Sequence, residues 1–380
     1  MHPLIKWPGG KSSEISKIEP YIPDYKRYVE PFFGGGALFF HLKPQCACIN
    51  DISSSLIDFY RLIKNQDKQL YNLLLCYSNS FSNLLNVCNR NYGEILNIYN
   101  MLELWELPKK DLEYKLTELI NSLSEKIDYG FNEEILLDKK EFYARLVRMV
   151  SDKMRRTVKN NKKTHFSDED LKNNLLTGFM SGYYIYFRDV FNDINLERIK
   201  SPSAQYTTAN FYFIREYCYG SMFRYNATGE FNIPYGGISY NTKNLKSKID
   251  NMFSKEVETI FKNTDIHCSD FEEFFKKLHL SENDFIFLDP PFEYPFKCDT
   301  DFSDYDGEDF TQFDHARLLY CLKNTTARFI LIIKNTDFIY KIYKNNFNII
   351  LADNCYTYNM RNRNKCITEY MLITNLPVKS

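Results

Sequence analysis

The sequence predicts an α/β fold in which the sheet is interrupted by a long helical insert, and two observations predict it. Short apolar segments end at acidic or turn-forming residues, as buried strands do. The clearest is 285–288, which stops at Asp289 because neither Pro290 nor Pro291 can donate to a sheet ladder. Between such segments, residues 56–141 carry Leu, Ile and Tyr at three- and four-residue intervals with few breakers, which is typical of packed helices.

Composition restricts the class of protein. The chain has 380 residues, 44% hydrophobic and 26% charged, which suits a globular protein of one large or two medium domains. No apolar run approaches a membrane span and the N-terminus lacks a signal-peptide core, so a cytoplasmic location is expected. The net charge of −1 does not mark a nucleic-acid binder, so a DNA surface would need its Lys and Arg on one face. Cys46 and Cys48 form the one close cysteine pair, which favours reduced thiols over a zinc site.

The N-terminal segment 4–11 combines two glycines with a lysine ahead of a predicted helix. Gly9 and Gly10 permit a ligand to approach the backbone closely, Trp7 provides a flat ring, and Lys11 provides a cation for a carboxylate or phosphate. An exposed turn fits the same residues, and both interpretations stay open at this point.

Residues 28–40 read as a strand, a glycine loop and the start of a helix. Backbone N–H groups of such a loop face a ligand. The spacing of Gly34, Gly35 and Gly36 is neither the dinucleotide fingerprint nor a P-loop. Asp51 ends the next predicted strand, where a carboxylate accepts hydrogen bonds from ribose hydroxyls. These features fit a nucleoside cofactor without a pyrophosphate, such as S-adenosylmethionine.

The segment that follows the strand 285–288 suits the methylation of an exocyclic base amine. Asp289 lies at the carboxyl end of this strand, where open α/β sheets bind ligands. Its carboxylate and the Pro290 carbonyl are two acceptors for the amine hydrogens, which would turn the nitrogen lone pair toward a methyl donor. Phe292 would stack on the base, which must leave the duplex. The alternative is a rigid turn after a core strand.

Two further segments are candidates for contact with nucleic acid. Residues 151–165 form the densest basic run, which is either a solvated loop or a phosphate-contacting segment. The turn at 226–229 separates two short aromatic segments and predicts a β-hairpin. The hairpin carries Arg224, whose guanidinium suits phosphate or guanine. A helix over 245–262 and a strand that ends near Asp270 are predicted next.

The C-terminal part predicts two more strands. Residues 299–309 are rich in Asp but lack the spacing of a calcium loop, so they predict an acidic loop. The apolar segments 329–333 and 369–374 predict strands, of which the second closes the sheet.

In their order along the chain, these motifs resemble those of the Dam-class DNA adenine-N6 methyltransferases. The resemblance covers about residues 4–60 and 205–375. The matching motifs are the N-terminal motif at 6–11, the glycine loop at 30–36, the ribose acid at Asn50-Asp51, the cofactor-adenine motif at 269–271, the DNA-contacting hairpin at 224–236, the catalytic tetrapeptide at 289–292, and a final motif at 361–374 with Glu369 in the acidic position.

The resemblance implies a Rossmann-like S-adenosylmethionine-dependent methyltransferase sheet at 1–60 and 245–380. The inserted, mostly helical target-recognition domain would span 61–244 and carry the β-hairpin. The implied reaction moves a methyl group to N6 of a flipped-out adenine in double-stranded DNA without a metal, and the usual partner is a separate restriction endonuclease.

The resemblance also assigns site residues. The catalytic residues implied are Asp289, Pro290, Pro291 and Phe292. Those implied to bind the cofactor are Trp7, Gly10, Lys11, Glu30, Phe32, Gly34, Asp51, Asp270, Phe271 and Asp289. Those implied to contact DNA are Arg224, Asn226, Asn232, Pro234 and Tyr235.

The chain departs from the family pattern at three places. The catalytic tetrapeptide more often ends in Tyr, and Phe292 keeps the stacking face without the hydroxyl. Residues 61–204 do not align with the compact members, so the target sequence stays open. Gly237 and Ile238 follow the hairpin where GATC-methylating members commonly carry basic or aromatic side chains, which argues against GATC.

Two alternatives remain from the sequence. An amine methyltransferase for RNA or protein usually carries Asn before the two prolines, whereas this chain has Asp289. A catalytically silent DNA-binding subunit has no physical need to keep Lys11, Asp51 and Asp289 together. An adenine-specific DNA methyltransferase is therefore the expected function.

Overall fold

The chain divides into two compact units, Met1–Lys64 with Lys255–Ser380 (unit 1) and Asn65–Ser254 (unit 2). The computed structural model describes residues 1–11, 13–131, 135–291, 310–352 and 370–377. The insert was predicted at 61–244, but residues 245–254 belong to unit 2. The reason is local packing: a short helix at Lys246–Met252 contacts Lys68–Arg90, and Leu245 N donates to Ser78 Oγ at 3.3 Å.

The helices and strands alternate in unit 1, whereas unit 2 is helical. The strands are β1 Arg27–Glu30, β2 Ala47–Asp51, β3 Thr264–Cys268, β4 Asp284–Leu288, β5 Arg328–Lys334, β6 Asn348–Ala352 and β7 Tyr370–Thr374. The helices are α1 Ile15–Ile18, α2 Ala37–Leu42, α3 Ser54–Lys64, α4 Lys68–Arg90, α5 Tyr92–Trp105, α6 Lys109–Asp128, α7 Lys139–Thr164, α8 Asp168–Asn195, α9 Ala204–Tyr217, α10 Lys246–Met252, α11 Lys255–Phe261, α12 Phe271–Lys277, α13 Gln312–Lys323 and α14 Asp337–Tyr343.

Unit 1 is built on a sheet with the strand order β3-β2-β1-β4-β5-β7-β6. The five strands from β3 to β5 are parallel, and β7 runs antiparallel to both of its neighbours. Every residue of β2, β4 and β7 is buried, as is typical of a sheet covered on both faces. The segment 369–374 was predicted to close the sheet, but β7 lies inside it and β6 forms the edge.

The centre of the sheet is a topological switch point. From β1 the chain continues to β2 and β3 on one side, and it later returns through β4 to β5 on the other. The loops after neighbouring strands β1 and β4 therefore diverge, which opens a crevice at their carboxyl ends. The predicted glycine loop and Asp289 both lie at this end of the sheet.

Unit 2 has an aromatic core. The Phe213 ring lies 5.2 Å from the Tyr77 ring and 5.3 Å from the Tyr183 ring, measured between centroids. Much of the high Phe and Tyr content therefore serves packing.

Within the described residues, no helix is long and apolar enough to cross a membrane.

The basic run 151–165 lies almost wholly in α7, so of the two interpretations left open the solvated loop is wrong, and contact with phosphate stays a prediction. Val150, Met154 and Thr157 are buried at helical spacing, and Lys and Arg between them are good helix formers. The helix predicted over 245–262 is interrupted between α10 and α11.

The predicted hairpin is present as a turn with two isolated antiparallel bridges, Cys218 to Tyr235 and Tyr225 to Phe231, rather than as regular strands within the described residues. Asn226 Oδ1 closes the turn by accepting hydrogen bonds from the backbone N–H groups of the following residues. The second arm is held by α8, because Asn192 exchanges two hydrogen bonds with the Phe231 backbone, at 2.8 and 3.1 Å.

Helices α7 and α8 cross closely at glycines, and this crossing gives a stability prediction. A Cβ atom at Gly182 would lie 3.0 Å from Leu146 Cα, which is backbone and cannot move aside cheaply. We expect Gly182→Ala to lower the free energy of unfolding by about 1–3 kcal/mol. Gly93→Ala in α5 is the matched control, because its Cβ would meet nothing within 4 Å. Urea unfolding midpoints compare the two; equal midpoints would contradict the tight crossing.

Candidate active site

A cavity of about 160 Å³ lies at the carboxyl ends of β1, β2 and β4, within unit 1. All ten residues that the resemblance assigned to the cofactor line it: Trp7, Gly10, Lys11, Glu30, Phe32, Gly34, Asp51, Asp270, Phe271 and Asp289. Pro291 also lines the cavity, and Pro290 is buried beside it in the chain. Phe292, Glu369 and the acidic segment 299–309 lie outside the described residues.

The glycine loop is shaped around Trp7. Gly34 has φ +49°, and a Cβ atom there would lie 2.8 Å from Trp7 Cδ1. A side chain at this position would therefore both strain the backbone and displace the indole. Gly34 N donates to Asp51 Oδ2 at 2.8 Å, so the loop and the end of β2 are joined. Asn50 links the same region to β3 by donating to Ser269 O at 2.9 Å.

Lys11, which is buried, and Asp289, which is partly buried, form an ion pair in the cavity. The Lys11 side chain is 3% exposed, and its Nζ lies 2.9 Å from Asp289 Oδ1 and donates to Gly9 O at 2.9 Å. Burial raises the pKa of Asp289 to about 6, against the opposing effect of the Lys11 ammonium, and Glu14 raises it further. Among the described residues, Asp289 Oδ2 has no hydrogen-bond donor. One oxygen is thus fixed and the other is available to a ligand.

Glu30 lies at the end of β1 and is buried. Tyr28 Oη donates to Glu30 Oε2 at 2.8 Å. Burial holds the pKa of the Glu30 carboxyl well above its usual range, the hydrogen bond from Tyr28 opposes this rise, and the negative charges of Asp289 and Asp51 add to it. The cavity lining as a whole is acidic, with five carboxyl groups against the cations Lys11 and Arg317.

Arg317 was missed by sequence reasoning. It lies on α13 and lines the cavity together with Asp314 and Phe310. Its side chain contacts Asp270, which belongs to the loop after β3. Nothing in the local sequence signals this, because an Arg on an amphipathic helix is ordinarily a solvated side chain.

The hairpin residues in unit 2 have different surroundings. Arg224 Nε donates to Asn232 Oδ1 at 2.9 Å, Asn226 closes the turn, and Pro234 is exposed. Tyr235 is 7% exposed, and its hydroxyl donates to Asn241 Oδ1 at 3.0 Å. Tyr235 thus packs inside unit 2, where neighbouring aromatic rings cover its ring, and its contact with DNA stays a prediction.

The described ranges contain no set of side chains arranged to bind a metal ion. No group of three His, Cys, Asp or Glu side chains there is placed to hold a metal ion. The described cysteines, including Cys46 and Cys48, are free thiols.

The fold and cavity define a class of protein. A parallel sheet with a glycine loop after β1 and a carboxylate at the end of β2 is the arrangement of nucleoside-binding α/β proteins. The Asp289 carboxylate after β4 adds a hydrogen-bond acceptor to the same cavity, which suits transfer to an amine.

The sequence model of the D12 class N6 adenine-specific DNA methyltransferases matches residues 7–87 and 126–358. The chain therefore belongs to this family. The resemblance, the α/β fold class and the enzymatic activity predicted from the sequence are confirmed. The protein is a DNA methyltransferase that acts on adenine N6, and the use of S-adenosylmethionine and the flipping of the target base are typical of its family.

Several relatives are similar over most of their length. The chain is 25% identical over 346 residues to Type II methyltransferase M.CviBI of Paramecium bursaria Chlorella virus NC1A. The aligned region covers 90% of this chain and 86% of that protein. It is 27% identical over 357 residues to Type II methyltransferase M.MjaIII of Methanocaldococcus jannaschii, with 91% and 89% covered. It is 20% identical over 367 residues to a DNA adenine methylase of Vibrio cholerae, with 95% and 92% covered.

Proposed function

We propose that the cavity of unit 1 binds S-adenosylmethionine and the target adenine, and that unit 2 recognises the DNA site. The observation that carries the proposal is the Lys11–Asp289 ion pair, which lies in the same cavity as the glycine loop and Asp51. The ten residues that line the cavity and were assigned to the cofactor from the sequence are proposed to hold it.

The lining suits this cofactor in charge and shape. When bound, S-adenosylmethionine supplies a methyl group on a positively charged sulfur. The pKa of Glu30 is raised, but the four aspartates of the lining still outnumber its two cations, which gives the cavity a negative character that favours such a cation. Asp51 is proposed to accept hydrogen bonds from the ribose hydroxyls, and Trp7 to provide a flat face. The glycine at 34 keeps this space open.

The amine is proposed to be held by Asp289 and Pro290. Asp289 Oδ2 accepts one N–H of the adenine amine and the Pro290 carbonyl accepts the other, so the nitrogen lone pair points away from both. Lys11 fixes Asp289 Oδ1 and favours the ionised carboxylate, in which both oxygens act only as acceptors. Pro291 keeps the segment rigid, and Phe292 is proposed to stack on the flipped base.

Unit 2 is proposed to be the target-recognition domain, with the hairpin as its reading element. Asn226 rigidifies the turn and Asn192 anchors the second arm, so the hairpin enters the complex with little conformational freedom. Arg224, Asn232 and the exposed Pro234 are proposed to face DNA.

A separate restriction endonuclease that cleaves the same unmethylated site is the proposed functional partner, and the cytoplasm is the proposed location. The support is the naming of two relatives as Type II methyltransferases.

The proposed roles are tested by single-molecule sequencing of DNA from a methylation-free bacterial host that expresses the chain. We expect modified adenines confined to one short motif. Arg224→Ala should either lower the fraction of adenines that are methylated at that motif or relax the base specificity at one position of the motif. The reason is that a bidentate base contact contributes about 1–3 kcal/mol of discrimination. Arg90→Ala is the matched control, because Arg90 is an exposed arginine at the end of α4.

The outcomes separate the two units. An unchanged motif and modified fraction for Arg224→Ala would remove the hairpin from the recognition surface. An unmodified genome with the folded native chain would contradict the proposed site as a whole.

A further inference from the structure

Arg317 is the centre of a charged cluster at one wall of the cavity. Its Nη2 lies 2.5 Å from Asp270 Oδ1 and its Nε 2.7 Å from Glu272 Oε2. Its Nη1 lies 2.8 Å from Asp314 Oδ1, and the guanidinium carbon lies 4.7 Å from the centroid of the Phe271 ring. A planar guanidinium with a carboxylate on each of its three nitrogens is held in one orientation.

The two oxygens of Asp270 have different surroundings. Oδ1 accepts from Arg317 and also from Glu272 N, at 2.9 Å. Within the part of the chain that the structure describes, Oδ2 has no hydrogen-bond donor. The Asp270 side chain is 31% exposed and lines the cavity. Arg317 therefore holds one oxygen in the cluster, and the other remains for a donor that enters the cavity.

We propose that Arg317 is a positioning residue that makes the cavity selective for a purine with an amino group at position 6. This inference rests on the proposed function, in which Asp270 contacts the adenine ring of the cofactor. The contacts of Oδ1 with Arg317 and Glu272 N leave the Oδ2 acceptor directed to the cavity, so Oδ2 favours a ring that carries N–H at this edge. Arg317 also contacts Phe271, so one side chain fixes both the acceptor and an aromatic ring of the cavity wall.

The cluster joins distant parts of the chain. Asp270 precedes α12, whereas Arg317 lies on α13, after the catalytic segment. Without the guanidinium, the partly exposed Asp270 carboxylate would keep only its hydrogen bond from Glu272 N and would lose part of its fixed orientation. A purely structural salt bridge would join α12 and α13 equally well, but it would not distinguish one purine from another. Selectivity between two ligands is therefore the informative measurement.

The experiment compares two ligands on the full chain by isothermal titration calorimetry. The first is S-adenosylhomocysteine, and the second is its analogue with hydrogen in place of the 6-amino group. We expect the native chain to bind the first about 10- to 100-fold more tightly, because the analogue leaves a desolvated carboxylate without its donor. Arg317→Met should reduce this ratio to below about threefold, and Arg317→Lys, which keeps the charge, should restore part of it.

Arg328→Met is the matched control. Arg328 lies at the start of β5, where its Nε donates to Glu282 O at 2.8 Å, and it is not part of the cavity lining. We expect this variant to keep the native ratio. Circular dichroism melting curves of both methionine variants verify that each is folded.

The outcomes are distinct. A native ratio in folded Arg317→Met overturns the inference, and so does an equal loss of affinity for both ligands, since this marks a structural role alone. If the native chain binds both ligands equally, Asp270 does not recognise the 6-amino group and the inference fails. A native chain that binds neither ligand contradicts the proposed cofactor site itself.

Discussion

Asp289→Asn is expected to lower the single-turnover rate of adenine methylation by about 10²- to 10³-fold. The substitution keeps the shape of the side chain but replaces one acceptor oxygen by an NH₂ donor. That donor would face the adenine amine, which is itself a donor, or would face the Lys11 ammonium, which lies 2.9 Å from Asp289 Oδ1 in the native chain. Either orientation removes the charge that prepares the amine for transfer.

The rate is measured as transfer of a labelled methyl group to duplex DNA at saturating cofactor. Asp265→Asn is the matched control, because Asp265 is an exposed aspartate in strand β3 at the edge of the same sheet. This control should retain the native rate. A folded Asp289→Asn protein with native activity would show that Asp289 is not the acceptor of the amine.

Lys11→Met is expected to lower the rate at neutral pH and to move the pH profile to higher pH. In the native chain, the rate should rise as pH increases through about 6, because the pKa of Asp289 is about 6 and the ionised form is the active one. The Lys11 ammonium lowers this pKa. In Lys11→Met, no ammonium opposes the effect of burial on this pKa. The pKa of Asp289 therefore rises further, and more of the carboxyl is protonated at neutral pH.

Single-turnover rates from about pH 5 to pH 9 give the two profiles. Lys17→Met, which removes an exposed lysine from α1, should keep the native profile. Partial recovery of Lys11→Met at high pH would separate the electrostatic role of Lys11 from simple loss of cofactor binding. Profiles with the same midpoint would contradict the coupling between Lys11 and Asp289.

The sequence by itself determined the central features of the site. The glycine loop and Asp289 each follow a short buried strand and Asp51 ends one, and this is a local property. Glycine at 34 is required by a positive φ and by contact with Trp7, and the two prolines after Asp289 end β4 whatever surrounds them. Because parallel strands bring their carboxyl ends to one edge, the order of these motifs along the chain is sufficient to place them in one cavity.

The tertiary structure alone decided features that depend on contacts between distant segments. The position of β7 between β5 and β6 follows from strand pairing, which no local pattern encodes. The burial of Tyr235 depends on the aromatic core around it. The contact between Arg317 and Asp270 joins residues on separate elements, and it exists only because α12 and α13 pack together. Local residue patterns determine backbone turns and strand ends, whereas the partners of a long charged side chain are set by which elements pack beside it.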